Sequence, residues 1–139
     1  MWEYLHHITL HFPIVLTMVM AVSGWAAARS EAFQGAEVGV SWLRWGGHVT
    51  LGFTTVAVWS GLMSGGFSGG EEGLVHHRYL GVLAFLVIGV AAGSYEAGIR
   101  MGSRRLRDYG RTLWWVAVVA VIGAGHWGGK WVHGDVIPW

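Results

Sequence analysis

The sequence predicts an all-α protein, a four-helix up-down transmembrane bundle with both termini on the periplasmic side, and three observations carry that expectation. The first is composition: of 139 residues 53% are hydrophobic and 12% charged, with 10 Trp, 2 Pro and no Cys, a profile remote from that of a soluble domain. The second is a set of four windows of roughly 20 mostly apolar residues, the length a helix needs to cross a hydrocarbon core. The third is charge placement. Seven of the nine Lys and Arg, namely Arg29, Arg44, Arg100, Arg104, Arg105, Arg107 and Arg111, fall at one set of span ends. Positive charge marks the cytoplasmic side of a span, so the opposite ends and both termini are expected outside.

The spans are expected at 8–28, 42–63, 79–99 and 113–132, in a single integral membrane domain covering 1–139. The chain opens Met1-Trp2-Glu3-Tyr4, without a basic n-region, and its first apolar run is longer than the core of a secretory signal. It therefore reads as a retained helix. The joints at 29–37, 64–73 and 100–111 carry polar and turn-forming residues, and each is short enough to make successive helices antiparallel neighbours. Trp42, Trp45, Trp114 and Trp115 are expected in an inner aromatic belt, and Trp2, Trp127, Trp131 and Trp139 in an outer one. A net charge of +1 gives no reason to expect nucleic acid, while the Arg-rich segment 100–111 is suited to anionic membrane lipid. Without Cys there can be no disulfide, thiolate metal site, iron–sulfur cluster or covalent c-type haem. Any metal or haem must be held by His, Met or carboxylates.

Eight His are present, and alternating helix directions bring seven of them to the outer face. His6, His7 and His11 open the first span, His76 and His77 the third, and His126 and His133 end the fourth; only His48 lies toward the inner half. His6, His7, His76, His77 and His133 fall near the membrane edge, where a polar interfacial ring costs little. His11, His126 and His48 lie inside apolar windows, where polar groups are costly enough to suggest function. His7 and His11 share a helix face at i, i+4, His77 has Gly81 one turn on, and Gly123 and Gly129 flank His126. Imidazoles from facing helices with bare backbone beside them suit haem iron. His11 and His77 could meet on one diagonal of the bundle. His48 and His126 form the other, offset by roughly six residues or about 9 Å, and His11 with His126 on adjacent helices is an alternative pairing.

Glu96 is the only acid well within a span, with Ser94, Tyr95 and His48 at comparable depth. A salt bridge to Arg44 or Arg100 is its plainest role, and a proton or quinone site the functional alternative.

His11-Phe12-Pro13-Ile14, His77-Arg78-Tyr79-Leu80-Gly81 and Gly125-His126-Trp127-Gly128-Gly129-Lys130-Trp131-Val132-His133-Gly134 together span nearly the whole chain. In these motifs it resembles an uncharacterised bacterial family of four-helix membrane domains. That family has a His-Phe-Pro-Ile start and a Gly-His-x-Gly-Gly ending, and some members are joined to or encoded near c-type cytochromes. The resemblance implies a bacterial inner-membrane protein in an electron-transfer setting, with His11, His77 and His126 as the matched positions. The chain departs from the pattern at His133, where the family more often has an aromatic residue, and in the doubled His6/His7 and His76/His77, which raise the prospect of more than one haem.

The expected function is that of a membrane b-type cytochrome holding one or two haem b groups through pairs drawn from His11, His77, His126, His48, His7, His76 and His133. It would carry electrons between quinol and a periplasmic cytochrome or redox enzyme, as an anchor subunit and not a stand-alone enzyme. Two rivals differ in class: a Cu- or Zn-binding or transport protein using the His cluster, and a structural subunit without a cofactor.

Overall fold

In a computed structural model the described residues, 2–30, 37–65 and 72–133, form four helices. These are α1 (Trp2–Arg29), α2 (Glu37–Gly65), α3 (Glu72–Arg100) and α4 (Arg104–His133). Side chains are described over 5–30, 37–63 and 74–130. Each helix has 28 to 30 residues, or about 42–45 Å at 1.5 Å per residue, more than the roughly 30 Å of a bilayer core. Three of them, over Leu5–Arg29, Leu74–Arg100 and Arg104–Lys130, are long and apolar enough to cross a membrane. The helix α2 is as long, and Thr50, Thr54, Thr55, Ser60, His48 and four glycines interrupt its apolar middle.

The helices pack in a ring, α1 on α2, α2 on α3, α3 on α4 and α4 back on α1. Side-chain contacts join the start of one helix to the end of the next. Trp42 Nε1 donates to Ser23 Oγ at 3.1 Å, Arg44 binds Glu96, and His77 reaches Ala124. One end of the bundle therefore gathers arginines and the other histidines.

The interior is made of small residues. Ala21, Ala27, Ala84, Ala91, Ala92, Ala117 and Ala120 are buried with Met20, Ile88, Tyr95 and Trp114. Large apolar side chains, among them Ile8, Val15, Val22, Leu86, Val119 and Ile122, lie exposed on the outside. This inverts the soluble arrangement and suits lipid, where close helix approach by small residues replaces the hydrophobic drive to bury large ones. At Gly110 a β-carbon would stand 2.7 Å from Ala91 O and 2.9 Å from Tyr95 N, so α3 and α4 touch backbone to backbone there. Most buried hydroxyls turn back on their own helix: Thr50 donates to Gly46 O, Thr54 to Thr50 O and Ser60 to Ala57 O, whereas Thr17 Oγ1 is buried without a partner among the described residues.

Two expectations are corrected. The segment 100–111, expected as a joint, is mostly helix. The helix α3 runs to Arg100, the chain turns through Gly102 at φ +66°, and α4 begins at Arg104. Glycine suits that left-handed corner, and Ser103 Oγ accepts from Leu106 N, giving α4 an N-cap. Trp114 belongs to the core at 2% exposure, packed over Gly47 at contact distance, while Trp42, Trp45 and Trp115 stay exposed as a belt requires. Of the outer set, Trp127 is half-buried. Trp139 and the side chains of Trp2 and Trp131 lie outside the described residues.

Candidate functional site

The histidine end is built on two half-buried imidazoles, His6 of α1 and His77 of α3. Their helices face each other across the ring, and the two imidazoles stand with centres 6.0 Å apart and planes at 82°. Each is anchored by backbone. His6 Nδ1 lies 2.9 Å from Ala57 O on α2, and His77 Nδ1 lies 2.7 Å from Ala124 O on α4. A carbonyl oxygen can only accept, so in the neutral ring Nδ1 carries the proton and Nε2 keeps its lone pair. Two glycines make these close approaches possible. A β-carbon at Gly61 would stand 2.9 Å from His6 Cε1, and one at Gly128 would stand 2.8 Å from His77 Nδ1.

The other expected ligands sit apart from this pair. His7 is exposed, its ring centre 6.0 Å from that of His6. His11 is also exposed, on the outer face of α1 where the neighbouring Phe12 stacks on Phe53 of α2. His6 thus takes the place across from His77 that was expected for His11. His76 stacks on Trp127 at 4.6 Å, and His126, exposed, meets the edge of the same indole at 5.9 Å. His126 therefore faces outward, and a β-carbon at its neighbour Gly129 would meet nothing within 4 Å. The His133 side chain lies outside the described residues. Among the described residues no three His, Asp or Glu side chains gather as a metal site would need.

His48 belongs to the other end. Its Nε2 lies 3.6 Å from Glu96 Oε2, too far for a hydrogen bond, and its ring meets Trp45 edge-on. Glu96 is occupied by arginine on both sides. Arg44 donates through Nε to Oε2 at 2.7 Å and through a terminal nitrogen to Oε1 at 2.8 Å, a bidentate fork from α2 to α3. Arg100 adds a third bond to Oε1 at 2.7 Å. Two guanidinium groups on one carboxylate make a charge-assisted clamp between α2 and α3.

His6 was the residue that sequence reasoning missed. The signal lies in the small and polar stripe of α1, in which Thr9, Thr17, Met20, Ala21 and Ala27 are buried. Three residues before Thr9 on that stripe stands His6. On α3 the same exercise from Ala84 leads through Leu80 to His77.

No protein-family model matches this chain, and no curated protein or solved structure does.

Proposed function

We propose that this chain is a membrane b-type cytochrome whose haem iron is ligated by His6 and His77, and that it carries electrons between quinol and a periplasmic redox partner as an anchor subunit. The observation behind this reading is the pair of neighbouring imidazoles from facing helices, each tied through Nδ1 to a backbone carbonyl. His6 and His77 would hold the iron through their free Nε2 atoms, and their ring centres lie 6.0 Å apart. The Nδ1 bonds are the supporting contacts that ligating histidines ordinarily make, fixing the tautomer and raising the basicity of Nε2.

The chemistry of the donors beside the pair supports the reading. Gly81, one turn on from His77, is half-buried, and a β-carbon there would meet nothing within 4 Å. One terminal nitrogen of Arg78, next to His77, is buried without a hydrogen-bond partner among the described residues, a donor suited to a propionate carboxylate. When bound, haem supplies reversible one-electron chemistry. The chain's own part is to hold the iron through Nε2, orient both rings through Ala57 and Ala124, and set the potential by burial. The Cu or Zn alternative is less well served, because such sites take three or four protein ligands, whereas a porphyrin needs only two more.

In this reading α2 completes four spans, the arginine end faces the cytoplasm and the histidine end the periplasm of a bacterial inner membrane. An alkaline-phosphatase reporter fused after Trp139 is expected to be active; an inactive one, with a cytoplasmic reporter active there, would reverse the orientation. For the cofactor, pyridine haemochrome quantitation on the purified chain is expected to return one haem b per chain bearing the His6–His77 pair. A chain that takes up no haem during expression with excess haem precursor would favour the structural-subunit reading.

A further inference from the structure

At the arginine end a cavity of ≈ 130 Å³ opens between the end of α1, the first turns of α2 and α4, and Tyr95 of α3. Arg104, Arg107 and Arg111 line it from one face of α4, and Leu43 and Ala27 supply an apolar wall. No carboxylate lines it among the described residues. Glu96, the nearest acid on α3, is already bound by Arg44 and Arg100.

The pairing inside this group is incomplete. Arg111 donates to Asp108 through one terminal nitrogen, yet its side chain is only 10% exposed and its Nε is buried without a partner among the described residues. Arg107 gives one nitrogen to Gly98 O at 3.2 Å, and Arg104 approaches Asp108 only to 3.9 Å. Among the described residues Asp108 is the one acid paired with these arginines, reaching Arg104 and Arg111 but not Arg107, so positive charge is left over around a concave, partly apolar space. A buried guanidinium N–H without an acceptor carries the full cost of its desolvation, and an anion in the cavity would remove it. The first turn of α2, whose Gly39 and Val40 line the same space, adds the positive end of a helix dipole.

We propose that this cavity binds a phosphate group, held by Arg104, Arg107 and Arg111 with the Tyr95 hydroxyl as a further donor. The phosphate comes from an anionic phospholipid headgroup or from a free phosphate, two sources with one recognition chemistry. The site is independent of the haem at the other end.

The test is the unfolding midpoint of the whole chain, measured in phosphatidylcholine nanodiscs, in nanodiscs with phosphatidylglycerol added, and in detergent with inorganic phosphate against chloride at equal ionic strength. The midpoint is expected to rise with phosphatidylglycerol or with phosphate. A rise with the lipid alone assigns a headgroup, and a rise with phosphate as well assigns a soluble anion. Arg104→Gln and Tyr95→Phe should each weaken the effect by about tenfold in the concentration required, the scale of one charge-assisted or buried hydrogen bond. Arg105→Gln, which removes the same charge one residue away from the lining, should leave the effect as in the wild type. The proposal is overturned by a midpoint that responds to neither addition, or by Arg105→Gln weakening the response as much as Arg104→Gln. Arg111→Gln extends the series if that variant folds.

Discussion

The two ends of the bundle handle polar groups in apolar surroundings in opposite ways. At the arginine end, charge meets charge: Glu96 takes three hydrogen bonds from two guanidinium groups. At the histidine end, neutral rings meet backbone: His6 and His77 each spend one nitrogen on a carbonyl and keep the other lone pair. A saturated network stiffens a fold, whereas an anchored ring with a spare lone pair is equipped to bind a metal. The contrast separates the Glu96 network, closed on itself, from the histidine pair, which keeps free lone pairs, more sharply than the number of ionisable residues at each end.

The contrast breaks most completely if the histidine pair is removed. His77→Ala and His6→Ala should each abolish low-spin haem in membranes where the helices still insert, as read by difference spectra and by immunoblot of the membrane fraction. A smaller effect is expected from the glycines behind the rings. A β-carbon at Gly128 would have to displace the His77 imidazole it meets at 2.8 Å, so Gly128→Ala should weaken haem retention by about tenfold, the scale of a lost supporting contact. Dilution of the purified variant into apomyoglobin, which captures released haem, measures this. Glu96→Gln should keep the haem spectrum and quinol-linked turnover near wild type and lower the thermal midpoint, because Arg44 and Arg100 lose their shared ionic partner. A large loss of turnover with haem intact would make Glu96 a proton or quinone site instead. Smallest of all, His11→Ala and His126→Ala, on outward-facing positions, should leave haem content and spin state unchanged.

Four helices were legible in the sequence because apolar length is a direct demand of the bilayer, and because charge clusters at 29–44 and 100–111 mark their ends. Helix bounds were less so: the apolar windows end where lipid ends, while hydrogen bonding carries α1 back to Trp2 and α4 back to Arg104. The choice between His6 and His11 turned on which face of α1 is inside. Depth in an apolar window favours His11, yet in lipid the largest apolar side chains belong outside, and Ile8, Phe12, Val15 and Val22 face out with it. Thr9, Thr17, Ala21 and Ala27 mark the inside. The same inversion explains His126, whose glycine neighbours signal close packing only if a helix stands opposite; Gly123 meets Leu80 and Gly129 meets nothing. The bidentate Arg44–Glu96 contact was foreseeable from depth, but the three-arginine cavity was not, since it depends on α4 starting at Arg104 and presenting 104, 107 and 111 on one face.

The measurement that bears most directly on the central claim is a reduced-minus-oxidised spectrum of the purified wild type beside His6→Ala, His77→Ala and His11→Ala, each normalised to protein. The wild type and His11→Ala should show equal, sharp low-spin α bands, and the two variants of the pair should show none. Equal bands in all four proteins, or loss in His11→Ala with retention in His6→Ala, would contradict ligation by His6 and His77.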